Sequence, residues 1–186
     1  MSAREFTFAL PDWLVRDTQD AAALHTDEER LRFTIELASR NLHHGTGGPF
    51  GAAIFASGTG ELLSVGVNLV TSRRSSMLHA EVVAILLAQQ RLRTHDLADA
   101  AGGATLYCSC EPCAMCMGAI PWAGIGRVVI AAPGDAAESV GFDEGAKPAD
   151  WRSEYAARGI SVHGPLLEDE ARAVFEAFRA AGGEIY

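Results

Sequence analysis

The chain has 186 residues, a formal net charge of −9, 48% hydrophobic side chains and 21% charged ones. That length suits one domain with a sizeable core, and the composition excludes a disordered or fibrous chain. An acidic surface repels phosphate backbones, so a broad nucleic-acid footprint would need a local basic patch, and the short stretches Arg73-Arg74 and Arg91 to Arg93 read instead as solvated surface.

The opening stretch, residues 1–25, carries Phe6, Phe8, Leu10, Trp13, Leu14 and Val15 without a clear period and is broken by Pro11, which predicts an N-terminal arm packed on the domain that follows. It lacks a basic flank leading into an apolar core, and no run approaches the roughly 18–20 apolar residues of a membrane span; a cytoplasmic location and no membrane partner are expected. The main domain is placed at 26–186, with its C-terminal helix and tail included. Thr26 and Glu29 form a capping box that starts a helix with Leu31, Ile35, Leu37, Ala38 and Leu42 on its apolar face, ending near His43 to Gly45. His43 and His44 suit the negative end of that helix.

The glycine-rich segment 44–49 is a loop, followed by a buried strand from Phe50 to Ala56, a turn at 57–60, and a second strand from Leu62 to Leu69 with Gly66 near a possible bulge. After a polar loop, Met77 to Leu92 is long and apolar enough for a helix, with His79 and Glu81 in its first turn. Thr105 to Cys108 is the third strand, Cys113 to Trp122 a helix and Arg127 to Ala132 the fourth strand. Residues 134–150, rich in Gly, Pro, Asp and Glu, predict an irregular loop; Ile160 to His163 a short strand; Glu168 to Ala181 a final helix. Strands alternating with helices predict parallel crossovers and a three-layer α/β/α sandwich around a mixed sheet. Trp122 and Trp151 are expected in the core or at a contact between subunits.

All four cysteines fall between positions 108 and 116, a crowding that argues for metal ligation over a disulfide framework. Cys108 and Cys110 close a strand and read as small core residues. His79-Ala80-Glu81 stands 34 positions before Pro112-Cys113-Ala114-Met115-Cys116, counted from His79 to Cys113. A His-x-Glu followed by Pro-Cys-x-x-Cys is the signature of zinc deaminases acting on nucleobases, with the glutamate outside the ligand set. One imidazole and two thiolates leave a fourth tetrahedral position open, as a catalytic zinc site requires. Helix starts at both cysteines are expected to lower their pKa values. Zinc can bring a bound water from 15.7 to about 7, and Glu81 is placed to move its proton to a leaving amine.

Residues 30–129 resemble the cytidine deaminase superfamily, on the side containing purine base and tRNA adenosine deaminases. The segments Gly48-Pro49-Phe50-Gly51-Ala52-Ala53, Gly66-Val67-Asn68, Ser76-Met77-Leu78-His79-Ala80-Glu81, Gly141-Phe142-Asp143-Glu144-Gly145 and the closing Glu184-Ile185-Tyr186 are similar to bacterial guanine deaminases. The resemblance implies hydrolysis of guanine to xanthine and ammonia, with ammeline as a further substrate, zinc as cofactor, and a homodimer in which C-terminal segments can be exchanged. Carried over by position, Asn68 would hydrogen-bond the base, Phe50 would flank its ring, Ala80 would line the pocket, Glu144 would act as a second acid, and Tyr186 would close the site.

Four other readings compete. Ammeline, cytosine or another free base, or guanosine, would use the same metal centre with a different pocket. A tRNA adenosine deaminase shares the motif but calls for basic surface, which this chain lacks. A closed structural site would need a fourth ligand, for which Cys110 is the nearby thiol. A zinc-stabilised dimeric scaffold would have no need of Glu81.

Overall fold

The computed structural model describes residues 7–17, 24–99 and 102–186. Phe6, part of the expected arm, lies outside them. The rest of that arm contains a short helix, α1 (Asp12–Asp17), whose Trp13 and Leu14 are buried in the main core. The capping box forms as expected: Glu29 N donates to Thr26 Oγ1 at 3.2 Å, Thr26 N donates to Glu29 Oε2 at 2.9 Å, and α2 runs from Asp27 to His43.

A five-stranded sheet is ordered β2-β1-β3-β4-β5. The hairpin β1 (Gly51–Ala56) and β2 (Leu62–Val67) is antiparallel, β1 also pairs antiparallel with β3 (Ala104–Cys110), and β4 (Ile125–Ala132) and β5 (Ser161–His163) continue in parallel. Alternation along β1 splits the core: Ala53 and Phe55 join the cluster beneath α2 and α8 (Glu168–Ala180), while Ala52, Ile54 and Ala56 join the cluster beneath α4 (Ala80–Leu92), α5 (Ala114–Trp122) and α7 (Trp151–Ala157). This is the expected three-layer α/β/α sandwich with a mixed sheet. Both faces of the central strands are covered, which is why they read as continuous apolar runs.

Three expectations are corrected. Gly66 is not at a bulge; the register shift lies between Ile54 and Phe55, and Gly66 is where α4 meets the sheet, since a Cβ there would overlap the Ala80 carbonyl. Residues 134–150 are not wholly irregular: Pro133 caps a short helix, α6 (Gly134–Glu138), and α7 follows the loop. The second strand stops at Val67, short of Leu69, and a further short helix, α3 (Val70–Arg73), runs into what was read as a polar loop. Among the described residues, no helix is long and apolar enough to cross a membrane.

Candidate active site

Two helix starts at the same end of the sheet build the site. The long apolar helix starts later than its sequence suggests, at Ala80, with His79 as the extended residue that caps it (φ −69°, ψ 156°). Cys113 caps α5 in the same way (φ −69°, ψ 171°), and Cys116 follows within the first turn. An extended cap swings the side chain off the helix cylinder, so His79 and Cys113 face each other across the gap between helices. His79 Nδ1 is 3.5 Å from Cys113 Sγ, and the donor atoms of His79, Cys113 and Cys116 all lie within 4.8 Å of one another. Tetrahedral zinc with ordinary Zn–N and Zn–S bonds sets such an N···S pair roughly 3.6 Å apart, so the three residues fit the ion. Cys110 is buried in β3, where its thiol donates to the Pro133 carbonyl at 3.5 Å, and is not in the cluster. The closed four-ligand site therefore does not form among the described residues.

A cavity of about 160 Å³ opens beside this triad, lined by Phe50, His79, Glu81, Cys113, Glu144 and Tyr186 along with Ser76, Glu111, Phe142 and Asp143. A larger hollow of about 840 Å³ along edge strand β2 holds none of the metal-binding side chains, so size does not locate the chemistry. Of the other expected contacts, Ala80 is packed in the core and Asn68 is buried just behind the cavity wall; neither is among the lining residues. Asn68 Oδ1 accepts from Val70 N at 3.2 Å, capping α3. Tyr186 reaches the cavity from the end of the same chain: its ring packs edge-on against Phe142 at 5.3 Å and lies 6.3 Å from the His79 ring. Burial of the phenol pushes the hydroxyl's pKa up.

The sequence model for the zinc-binding region of cytidine and deoxycytidylate deaminases matches residues 24–132. This chain belongs to that family of zinc deaminases. It is similar to the guanine deaminase of Bacillus subtilis (strain 168), 41% identical over 117 residues that cover 63% of this chain and 71% of the relative. Among solved structures, the guanine deaminase from Nitrosomonas europaea matches with a TM-score of 0.89 and 40% identity over 95% of this chain and 97% of that one. The structure of NE0047 in complex with 2,6-diaminopurine matches with a TM-score of 0.91 and 41% identity, covering 97% and 95% of the two chains.

Electrostatics in this deaminase are dominated by burial. Glu81 is almost wholly enclosed; burial first, and the negative Cys113 second, raise its pKa above the ordinary carboxylate value. The two ligand thiols separate. Hydrogen bonding from Cys116, with help from His79, holds Cys113 down to about 4, while Cys116, beside that thiolate and buried, is pushed up. The expectation that both thiols are lowered thus holds for Cys113 alone, because the second shares its proton with the first; metal binding removes that proton. Burial raises Cys108 and Cys110 well above the usual thiol value, which keeps them inert in the core.

Glu144 sits in the loop after Phe142, tied to α5 by Ala114 N donating to its carbonyl at 2.9 Å. Its carboxyl is pushed up to about 7, chiefly by burial, against the lowering effect of Lys147. Lys147 Nζ lies 2.9 Å from Glu144 Oε2 and 3.0 Å from Glu111 Oε1, all three side chains being largely buried. The approach to Glu144 is close enough for an ion pair but too bent for a hydrogen bond, so Oε2 is a buried acceptor without a hydrogen-bonding donor. Sequence reasoning missed Lys147 and Glu111. One signal was available: Lys147 is the only lysine in a chain whose other basic side chains among fifteen Lys and Arg are all arginine.

Proposed function

We propose that this deaminase hydrolyses guanine to xanthine and ammonia. The observation that carries the reading is the pair of buried carboxylates, Glu81 and Glu144, that line one small cavity beside a zinc donor set and an aromatic wall. A cavity of about 160 Å³ is on the scale of one small planar ring system rather than a polymer, one of about 150 Å³ being enough for benzene. Bound by His79, Cys113 and Cys116, zinc supplies Lewis acidity and a water activated near neutral pH.

The chain's own groups divide the remaining work. Phe50 and Phe142 present ring faces and edges to a planar base. Glu144 accepts hydrogen bonds from ring and amino N–H donors, which guanine offers along one edge and cytosine does not offer in the same number. Asn68 would add a polar contact from behind the wall by a small shift of its amide. Glu81, raised by burial, moves a proton from the attacking water to the leaving amine; proton transfer of this kind typically contributes about 100-fold to 10,000-fold in rate. Overall a C–N bond is exchanged for a C–O bond and ammonia leaves. Tyr186 closes the cavity over the base.

The same reading includes a cytoplasmic homodimer. Trp122 is 87% exposed, and Met77 and Leu86, beside and on α4, are also exposed, which leaves apolar side chains available to a second copy. The test is ammonia release by zinc-loaded protein from guanine, ammeline, cytosine, adenine and guanosine. Guanine is expected to give the highest kcat/KM; a faster reaction with another of the five would replace it as substrate.

A further inference from the structure

Hydrogen bonds holding the cavity wall converge on a residue outside every motif. Asn41, in the last turn of α2, is fully buried. Its Nδ2 donates to the Gly48 carbonyl and to the Asn68 carbonyl, each at 2.8 Å, so both of its N–H bonds are used. Its Oδ1 accepts from the Thr46 hydroxyl at 2.6 Å, and that hydroxyl accepts from the Trp13 indole N–H at 3.1 Å. Turning the amide over would set its oxygen against two carbonyl oxygens, so its orientation is fixed.

The two carbonyls it holds bracket Phe50. Phe50 N donates to Gly48 O at 2.9 Å, and Asn68 N donates to Phe50 O at 3.1 Å. Phe50 lines the cavity, and Gly48 is the seat of the Tyr186 phenol: a Cβ on Gly48 would stand 2.6 Å from Tyr186 Oη. The loop closes tightly on the amide, because a Cβ on Gly47 would overlap the Asn68 carbonyl and lie 3.0 Å from Asn41 Nδ2.

We propose that Asn41 is a positioning residue for base binding, one buried amide that ties together the two backbone segments framing Phe50 and is itself held by Thr46 and Trp13. This rests on the reading of the cavity as a nucleobase site. A buried polar network stiffens its surroundings when every member is satisfied, and becomes a liability when one is not. Removing the Thr46 hydroxyl leaves Asn41 Oδ1 and the Trp13 N–H without their protein partner, so the amide keeps its orientation on the two carbonyls but loses the anchor behind it. The wall then loosens, while His79, Glu81 and the ligand cysteines are carried by α4 and α5. The loss therefore falls on binding rather than on the chemical step.

Thr46→Val keeps the shape and deletes the hydroxyl; Thr46→Ser keeps the hydroxyl. With guanine, Thr46→Val is expected to raise KM by about fivefold or more with kcat within about twofold, as loss of binding common to ground and transition states predicts. Thr46→Ser should stay near wild type; zinc content should be unchanged in both, while melting temperature should fall by a few degrees in Thr46→Val alone, which strands two polar groups. Asn41→Asp, whose carboxylate can donate to neither carbonyl, should do greater damage. A wild-type KM in Thr46→Val, or a fall in kcat that tracks lost zinc or lowered melting temperature, overturns the assignment. The variants are run on all five bases. If wild type turns over another base instead of guanine, the guanine reading fails and Asn41 is judged on the KM for that base; if it turns over none, both fall.

Discussion

Lys147→Met removes the cation that faces two buried carboxylates. At 2.9 Å and an effective dielectric near 20, its attraction to Glu144 is of order 5 kcal/mol, of which the lysine's own desolvation offsets a part. What reaches the Glu144 proton equilibrium is the effect of one close opposite charge, roughly one to three pKa units. Glu144 stands at about 7 with Lys147 in place, so the variant's carboxyl ionises only in alkaline solution. Each unit of displacement lowers the ionised fraction about tenfold on the acid side. A bound dication lowers both midpoints, so the displacement between the two profiles is the quantity to compare. The assay is kcat/KM for guanine from pH 6 to 9.5: the variant's acid limb should lie at least one unit above wild type and recover toward alkaline pH, and Lys147→Arg should restore most of the difference. The sign also fixes a stability trend. A carboxyl raised on folding favours the folded state below its unfolded value of 4.5 and loses that contribution as pH climbs through its folded value, so the decline in melting temperature should extend to higher pH in the variant. A pH profile parallel to wild type, uniformly lower, would refute the coupling of Lys147 to Glu144.

Gly66→Ala should destabilise the fold strongly, by about 2 kcal/mol or more, because its Cβ meets the Ala80 backbone rather than a side chain that can move; urea unfolding measures it. Gly48→Ala should leave melting temperature nearly unchanged, since the atoms nearest its Cβ belong to the ring of Tyr186, a side chain that can move, but should raise KM for guanine as Tyr186 is displaced; an unchanged KM would show that the tail does not close the site.

The metal-binding triad and Glu81 were legible because their chemistry depends on residue type at short spacing, which survives without coordinates. The capping box at Thr26 was legible for the same reason. What the sequence concealed is of two kinds. Helix α6 sits in a stretch whose Gly, Pro and Asp content favours loops and α7 directly follows it; both are short enough that tertiary contacts, such as the burial of Trp151 and Tyr155 in α7, decide them. Lys147 and Asn41 have near partners as well, but what makes each a junction is a distant one: Glu111 is 36 positions from the lysine, and the Asn68 carbonyl 27 from the asparagine. Asn68 shows the converse. Its position suggested a residue that reads the base, while in the structure its side-chain oxygen caps α3 and the residue stays out of the cavity lining.

The account turns on Glu81 as the group that moves protons without holding the metal. Glu81→Gln, nearly equal in shape, should retain one zinc per chain by metal analysis while ammonia release from guanine falls by about 100-fold or more. A variant that keeps zinc and full turnover would contradict it.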